Sequence, residues 1–352
     1  MTADNRSRNP RDALVEAVES FYLETRERLF FAVKGSEHPA DRWIAVLRYA
    51  PDAQRGIRMK GGVLFRRLYH FSEQEEFLGG NSHYLAYDPV FGTTLQSVPR
   101  SLVRRIHDPR ARLVELVKAS GLQGPEEDAA AFASLLRKEA GIPWSGLGIT
   151  GSLLIGMHTA ESDLDIAVFG AQNCRKAYRI LQKLLDEPSC AELRRLDAQG
   201  VEELYAQRTA DTPMPFDEFV QLENRKVNQG VFRARPYFVR FIKDIRETGP
   251  AYGQLRYTPI GRAVITASIV DDREAIFTPC RYNIAGVRFL NGTPVDNLSE
   301  IVSFRGRFCE QAQGGEAVTA AGTLERIQNS RGDAWHRLLL GNSSEDTLLR
   351  LK

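Results

Sequence analysis

The stretch GITGSLLIGMHTAESDLDIAVFG, from Gly148 to Gly170, puts a Gly-Ser pair, a short apolar segment and two aspartates one residue apart into a single run. Its second half, Asp163-Leu164-Asp165-Ile166-Ala167-Val168, reads as a strand. Side chains on a strand alternate between its faces, so Asp163 and Asp165 point the same way and Leu164 points oppositely. Two carboxylates that close repel each other and are costly to desolvate. On a strand of apolar neighbours, the ionised pair wants a cation beside it. Ligands that are all oxygen and this hard suit Mg²⁺ or Mn²⁺, ions that also bridge phosphate oxygens.

The first half supplies a complement. Ile142 to Ile149 reads as a strand or extended entry, and Gly151-Ser152 stands where a short helix, Leu153 to Met157, begins. Free backbone N–H groups at such a start attract anions, glycine lets a phosphate come close, and a serine hydroxyl adds a donor. Together the two halves suit a metal-bound triphosphate.

This order of Gly-Ser, helix and loop, then Asp-x-Asp on a strand resembles the signature of the DNA polymerase beta-like nucleotidyltransferase superfamily. The resemblance spans at most Ile142 to Ile245, and its motif-grade part is Gly148 to Gly170. It implies that Gly151 and Ser152 hold the β- and γ-phosphates of an NTP, and that Asp163 and Asp165 ligate two Mg²⁺ ions. It further implies transfer of an NMP unit to an acceptor hydroxyl, with one ion activating that hydroxyl and the other steadying the pyrophosphate.

The superfamily usually carries a third carboxylate on a later strand, which completes the metal site and can serve as general base. The strand that fits is Arg235 to Ile245, and its central positions Phe238, Arg240 and Ile242 are not acidic. Asp244 shares their face by period-two counting but stands at the strand end, and is the tentative third metal ligand. Asp271 or Asp272 on a turn, a site of two carboxylates, or a site that does not catalyse are the alternatives. His158 lies in the loop before the metal strand, and Arg175, Lys176 and Arg179 open the following helix, where the two arginines fall one turn apart.

Around this core the chain reads as α+β. A helix is predicted over Arg11 to Phe31, then strands Trp43 to Tyr49 and Val63 to Tyr69, giving an N-terminal α+β domain over residues 1–108. Residues 109–250 hold two leading helices (Arg110 to Ser120 and Glu126 to Ala140), the nucleotidyltransferase-type mixed sheet, and a helix from Asn173 to Asp186. Residues 251–352 are rich in short strands separated by Gly, Asn, Asp or Pro, as in a small barrel or sandwich. Ser303 to Phe308 reads as a barrel strand with Arg305 and Arg307 on one face and Phe304 and Phe308 on the other; Arg58, Lys60, Arg66 and Arg67 form a second basic cluster.

Composition narrows the partners. The 352 residues carry 47 Lys and Arg against 45 Asp and Glu, a net charge of +2, so no sequence-wide field draws the chain to nucleic acid or membrane. The four cysteines show no metal-binding spacing and no disulfide framework. No apolar run is long enough to cross a bilayer, and the polar beginning lacks a signal core, which points to a cytoplasmic protein. The resemblance implies NTP-dependent nucleotidyl transfer to a hydroxyl, with RNA the first acceptor to consider because the basic clusters lie outside the core. The alternatives are an inactive nucleic-acid-binding relative, or transfer to a protein or small-molecule hydroxyl.

Overall fold

The computed structural model describes residues 16–79, 81, 83–187, 191–209 and 213–351, and shows a mixed α+β protein with three sheets. In the N-terminal part, the strands are β1 (Tyr22–Thr25), β2 (Phe30–Val33), β3 (Arg42–Pro51), β4 (Arg58–Lys60) and β5 (Val63–Arg67). Helix α1 (Phe71–Leu78) and strands β6 (Leu85–Asp88), β7 (Thr93–Pro99) and β8 (Val103–His107) follow. They pair in the order β4-β5-β3-β2-β1-β8, with the β6-β7 hairpin attached to β3.

The helix expected over Arg11 to Phe31 is not formed in its described part; Leu14 and Val15 lie outside the described residues. Tyr22 to Val33 is instead a hairpin, turned by Arg28 at φ +64° with its N–H donating to the Thr25 carbonyl at 2.9 Å. Both strands are buried along their whole length. An apolar run covered on both faces has no period-two signature and is easily taken for a helix.

The central part opens with α2 (Pro109–Lys118) and α3 (Pro125–Ala140). Each starts with proline in its first turn, which needs no N–H there; Asp108 caps α2 by accepting from the Arg110 N–H at 2.8 Å, and Gly141 at φ +61° ends α3. Next come β9 (Leu147–Ile149), the single turn α4 (Gly151–Leu154), β10 (Leu164–Phe169), α5 (Ala171–Asp186) and β11 (Leu193–Arg194). Helices α6 (Ala198–Arg208) and α7 (Phe216–Glu223) and strands β12 (Gln229–Phe232) and β13 (Arg235–Ile242) complete it. The sheet runs β11-β12-β13-β10-β9, with β13 parallel and β9 antiparallel to β10.

The two faces of this sheet have different cover. Leu164, Ile166 and Val168 of β10, with Tyr237, Val239 and Phe241 of β13, pack on α3 and α5 in one core. Ala167, Phe169 and Ile242 point the other way into the core of the N-terminal sheet. The aspartates share that second face, so the N-terminal sheet sits over the face that carries them.

The C-terminal strands are β14 (Leu255–Asp271), β15 (Cys280–Asn291), β16 (Leu298–Ser303), β17 (Ala317–Asn329), β18 (Ala334–Leu340) and β19 (Thr347–Arg350). Pairings run β14-β15-β16-β18-β17 and return to β14, closing a barrel, with β19 on the free half of β17. Alternate residues Ala263, Ile265, Ala267 and Ile269 fill its core. Glu310 ties the barrel to the central part by accepting from the Val227 and Asn228 N–H groups at 2.9 and 3.0 Å. The strand expected over Ser303 to Phe308 stops at Ser303; residues 306–308 form a single 3₁₀ turn that buries Phe308. No helix is long and apolar enough to cross a membrane among the described residues.

Candidate functional site

A cavity of about 1130 Å³ opens where the N-terminal sheet, the central sheet and the barrel meet. Thr150, Gly151, Ser152, Asp163 and Asp165 all line it, so the structure gathers both halves of the Gly-Ser and Asp-x-Asp motif at one wall. The contact between the halves is intimate. Gly151 has φ +64°, and a β-carbon there would fall well inside contact with Asp165 Oδ2 and 2.9 Å from its Cγ. Glycine is thus required twice, for its backbone conformation and for the room it leaves the carboxylate. The Thr150 N–H donates to the Asp165 carbonyl at 3.0 Å, extending the pairing of β9 with β10 up to the turn.

The loop between α4 and β10 is braced from the N-terminal sheet. Arg58 donates to the Met157 carbonyl and Lys60 to the Ile155 carbonyl, each at 2.5 Å. Ser162 Oγ accepts from the Thr159 N–H at 2.9 Å and lies 3.4 Å from Ser152 Oγ. Two members of the expected N-terminal basic cluster therefore hold the motif in place, and a third, Arg66, pairs with Asp52. Arg67 also lines the cavity and has no carboxylate at ion-pairing distance among the described residues.

Burial, and after it the charge of Asp163, pushes the Asp165 carboxyl up to about 6; Arg240, Arg67 and Arg48 pull in the opposite direction. Burial weakens the charge of Arg67, but Tyr49, Asp163 and Asp165 more than offset it and raise its pKa. Arg240 behaves alike: burial opposes its charge, and Asp165 and Glu19 hold it. Arg48 ends lowered, because burial and the like charges of Arg67, Arg240 and Arg305 outweigh Tyr22. Tyr22 and Tyr49, which also line the cavity, are raised first by burial and keep their protons.

The other sequence candidates fall elsewhere. Asp244 lies two residues beyond Ile242, whose partner on β10 is Phe169, at the end of the strand pair away from Asp163. It is half exposed, pairs with Arg110 at 3.2 Å, and is not a third ligand to the Asp163 and Asp165 site. Strand polarity is the reason: β13 runs parallel to β10, so its C-terminal end is the one farther from Asp163. Asp271 is an exposed turn carboxylate held down to about 2 by hydrogen bonds from Arg273. Asp272 also stands on that turn, where its carbonyl accepts from the Ala275 N–H at 2.8 Å.

Arg175 pairs with Glu274, and Arg179 donates to the Arg175 carbonyl. His158 faces Glu126 at 3.9 Å and is lowered mainly by burial. Among the described residues no group of three His, Cys, Asp or Glu side chains is placed to hold a metal.

Sequence reasoning missed the cationic side of the cavity. On β3, Trp43, Ala45 and Leu47 enter the N-terminal core, while Ile44, Val46 and Arg48 line the cavity. An arginine in phase with two apolar residues, on a strand apolar on both faces, was the available signal. Lys34 lines the cavity too, paired with Glu19 at 2.9 Å, as do Arg305 and Arg307 from the barrel.

No protein-family model matches the chain, and no solved structure matches it. An uncharacterized protein of Methanocaldococcus jannaschii is similar, with 27% identity over 332 residues that cover 92% of this chain and 95% of that protein. The similarity therefore extends over all three parts that enclose the cavity.

Proposed function

We propose that this protein is a divalent-metal-dependent nucleotidyltransferase that moves a nucleoside monophosphate from an NTP to an acceptor held in the same cavity. The observation that carries the reading is the seating of the Asp165 carboxylate in the space that only glycine leaves at position 151. The Gly-Ser turn and the carboxylate pair thus share one wall of the cavity. The arrangement of β9, α4, β10 and β13, with β9 antiparallel and β13 parallel to β10, agrees with the nucleotidyltransferase core that the motif resembles.

The residues fit a hard cation. Asp163 and Asp165 offer oxygen ligands alone, and burial together with the like charge of Asp163 disfavours the ionised Asp165, which a cation would favour. When bound, Mg²⁺ or Mn²⁺ supplies charge neutralisation and polarisation of phosphoryl oxygens. The chain itself does the rest. Gly151 leaves room for the Asp165 carboxylate, Ser152 offers a hydroxyl donor, and Arg67 adds a fixed positive charge near both aspartates. Arg58 and Lys60 keep the motif loop in register with the strand.

The cavity exceeds the roughly 300–1,000 Å³ that one small ligand occupies, which leaves room for a nucleotide and a second substrate. Arg305 and Arg307 line this cavity, and Arg58 and Lys60 brace its loop, so they do not form the open basic groove that RNA would need. A small acceptor fits better. Titration of each fluorescent NTP analogue with and without Mn²⁺ tests the reading: metal-dependent binding lost in Asp163→Asn, Asp165→Asn supports it. Binding indifferent to both metal and substitution would remove it. The presence of Phe238 and Arg240 where a third acid is usual favours a second reading, an NTP-binding protein without turnover, which binding without transfer would select.

A further inference from the structure

We propose that the acceptor is a small phosphomonoester whose own phosphate oxygen is the nucleophile, held by Arg48 and Arg240, so that the product is a pyrophosphate-linked nucleotide. This rests on the nucleotidyltransferase reading and names the second substrate of that site.

Register fixes which side is meant. β13 flanks β10 opposite to β9, so the residues of β13 lie across the aspartates from Gly151 and Ser152. Phe238 stands beside Asp165 and Arg240 beside Ala167, and in-register neighbours on parallel strands share a face. The flank that would carry a general base for a hydroxyl acceptor therefore carries an aromatic ring and a guanidinium. The cation of Arg240 lies 5.0 Å over the Phe238 ring.

Asp165 and Glu19 act on Arg240 from beyond ion-pairing distance. Arg48 projects from β3 into the same cavity with Arg67, Arg240 and Arg305 around it, and neither Arg48 nor Arg240 has a carboxylate at ion-pairing distance among the described residues. Glu19 is itself engaged by Lys34 Nζ at 2.9 Å and the Gly35 N–H at 2.8 Å. Buried guanidinium groups without a direct ion pair are costly, and a phosphate dianion offers three oxygens to their forked donors.

The same residues decide the chemistry. An arginine cannot accept a proton, so a hydroxyl bound here has no base on its own side of the site. A phosphomonoester needs none. Its oxygen attacks the α-phosphorus of the NTP and a P–O–P bond forms. The bond from the α-phosphorus to the bridging oxygen of the β-phosphate breaks, and pyrophosphate leaves with the electron pair. No proton is transferred in the step.

The test has a binding arm and a product arm. In the presence of EDTA, calorimetry with inorganic phosphate should show binding to the full chain that weakens about tenfold or more in Arg48→Gln, Arg240→Gln. It should be weakened less in Arg48→Lys, which keeps the charge and loses the fork, and kept in Asp163→Asn, Asp165→Asn. Phosphate binding absent from the wild type, or equal in the double arginine variant while its thermal unfolding is unchanged, overturns the proposal. In the product arm, α-labelled NTPs, Mg²⁺ and the small-molecule filtrate of a cell extract are incubated with the protein, with and without prior phosphatase treatment of the filtrate.

The expected result is a labelled product that disappears after phosphatase treatment and shows two coupled phosphorus resonances. Label that survives the treatment, or a product with a single phosphorus, or label on macromolecules alone, overturns the proposal and leaves nucleotidyl transfer standing. No label from any source removes both.

Discussion

Gly151→Ala isolates the contact on which the site depends. An alanine at φ +64° pays about 1–2 kcal/mol for the left-handed backbone. The new methyl would also stand 2.9 Å from Asp165 Cγ and 3.1 Å from its Cβ, where carbon atoms prefer about 3.5–4.0 Å. The carboxylate must retreat by about 1 Å, several times the roughly 0.2 Å tolerance of a metal–oxygen bond. Loss of a group that positions a metal ligand costs about 10- to 100-fold in affinity, and that is the loss expected for Mn²⁺ followed by its electron spin resonance signal. Gly121→Ala is the matched control, because Gly121 has φ +72° and open space around it. Both variants should share the backbone cost in thermal unfolding, and only Gly151→Ala should lose metal. Equal Mn²⁺ affinity in Gly151→Ala and wild type would refute the argument that this glycine makes room for the ligand.

Other outcomes follow from the same structure. A carboxyl raised from 3.8 to about 6 in the folded protein favours folding at low pH, and that contribution is lost as pH rises from about 4 through about 6. Asp165→Asn should therefore stabilise the metal-free protein at pH 7.5 by about 1–2 kcal/mol, allowing for water in the cavity, and the gain should vanish near pH 4 in paired denaturation curves. Metal affinity in the wild type should fall as pH drops below about 6, where protons compete for the carboxylate. Lys226 is buried against Glu223 at 2.8 Å and donates to the Arg307 carbonyl, so Lys226→Met leaves Glu223 with Arg208 as its one remaining cation and should cost about 1–3 kcal/mol in chemical denaturation. Asp244→Asn removes a half-exposed pair with Arg110, should cost less than about 1 kcal/mol and leaves Mn²⁺ affinity unchanged; a clear loss of affinity would restore Asp244 to the metal site.

The sequence was most readable where one period dominated. The alternation of β10 separates Leu164, Ile166 and Val168 from Asp165 and Ala167, and the structure places those two sets on opposite faces. The helices expected over Arg110 to Ser120 and Glu126 to Ala140 form as Pro109–Lys118 and Pro125–Ala140. The β1-β2 hairpin was hidden because neighbouring layers bury both its faces, leaving no alternation to read.

The cationic flank was hidden differently. Arg58 and Lys60 read as a surface cluster, yet their strand's outer face is covered by the motif loop, and strand periodicity cannot say what covers a face. Arg48 and Arg240 come from β3 and β13, far apart in sequence, and only packing brings them together. Asp244 was misplaced for want of strand polarity, since its face could be counted but its end of the sheet could not. In the barrel, Ser303 to Phe308 alternates charge and ring as a strand does, but the chain turns at Gly306, where a β-carbon would meet the Phe238 ring at 2.9 Å.

The central claim is that this cavity transfers a nucleotide. The most direct measurement incubates the full chain and its Asp163→Asn, Asp165→Asn variant with each α-labelled NTP, Mg²⁺ or Mn²⁺, and an unfractionated cell extract freed of its own NTPs. The account predicts label in a new product, release of pyrophosphate in equal amount, and loss of both in the variant. Metal-dependent NTP binding with no label transferred and no pyrophosphate released from any of the four nucleotides would contradict it.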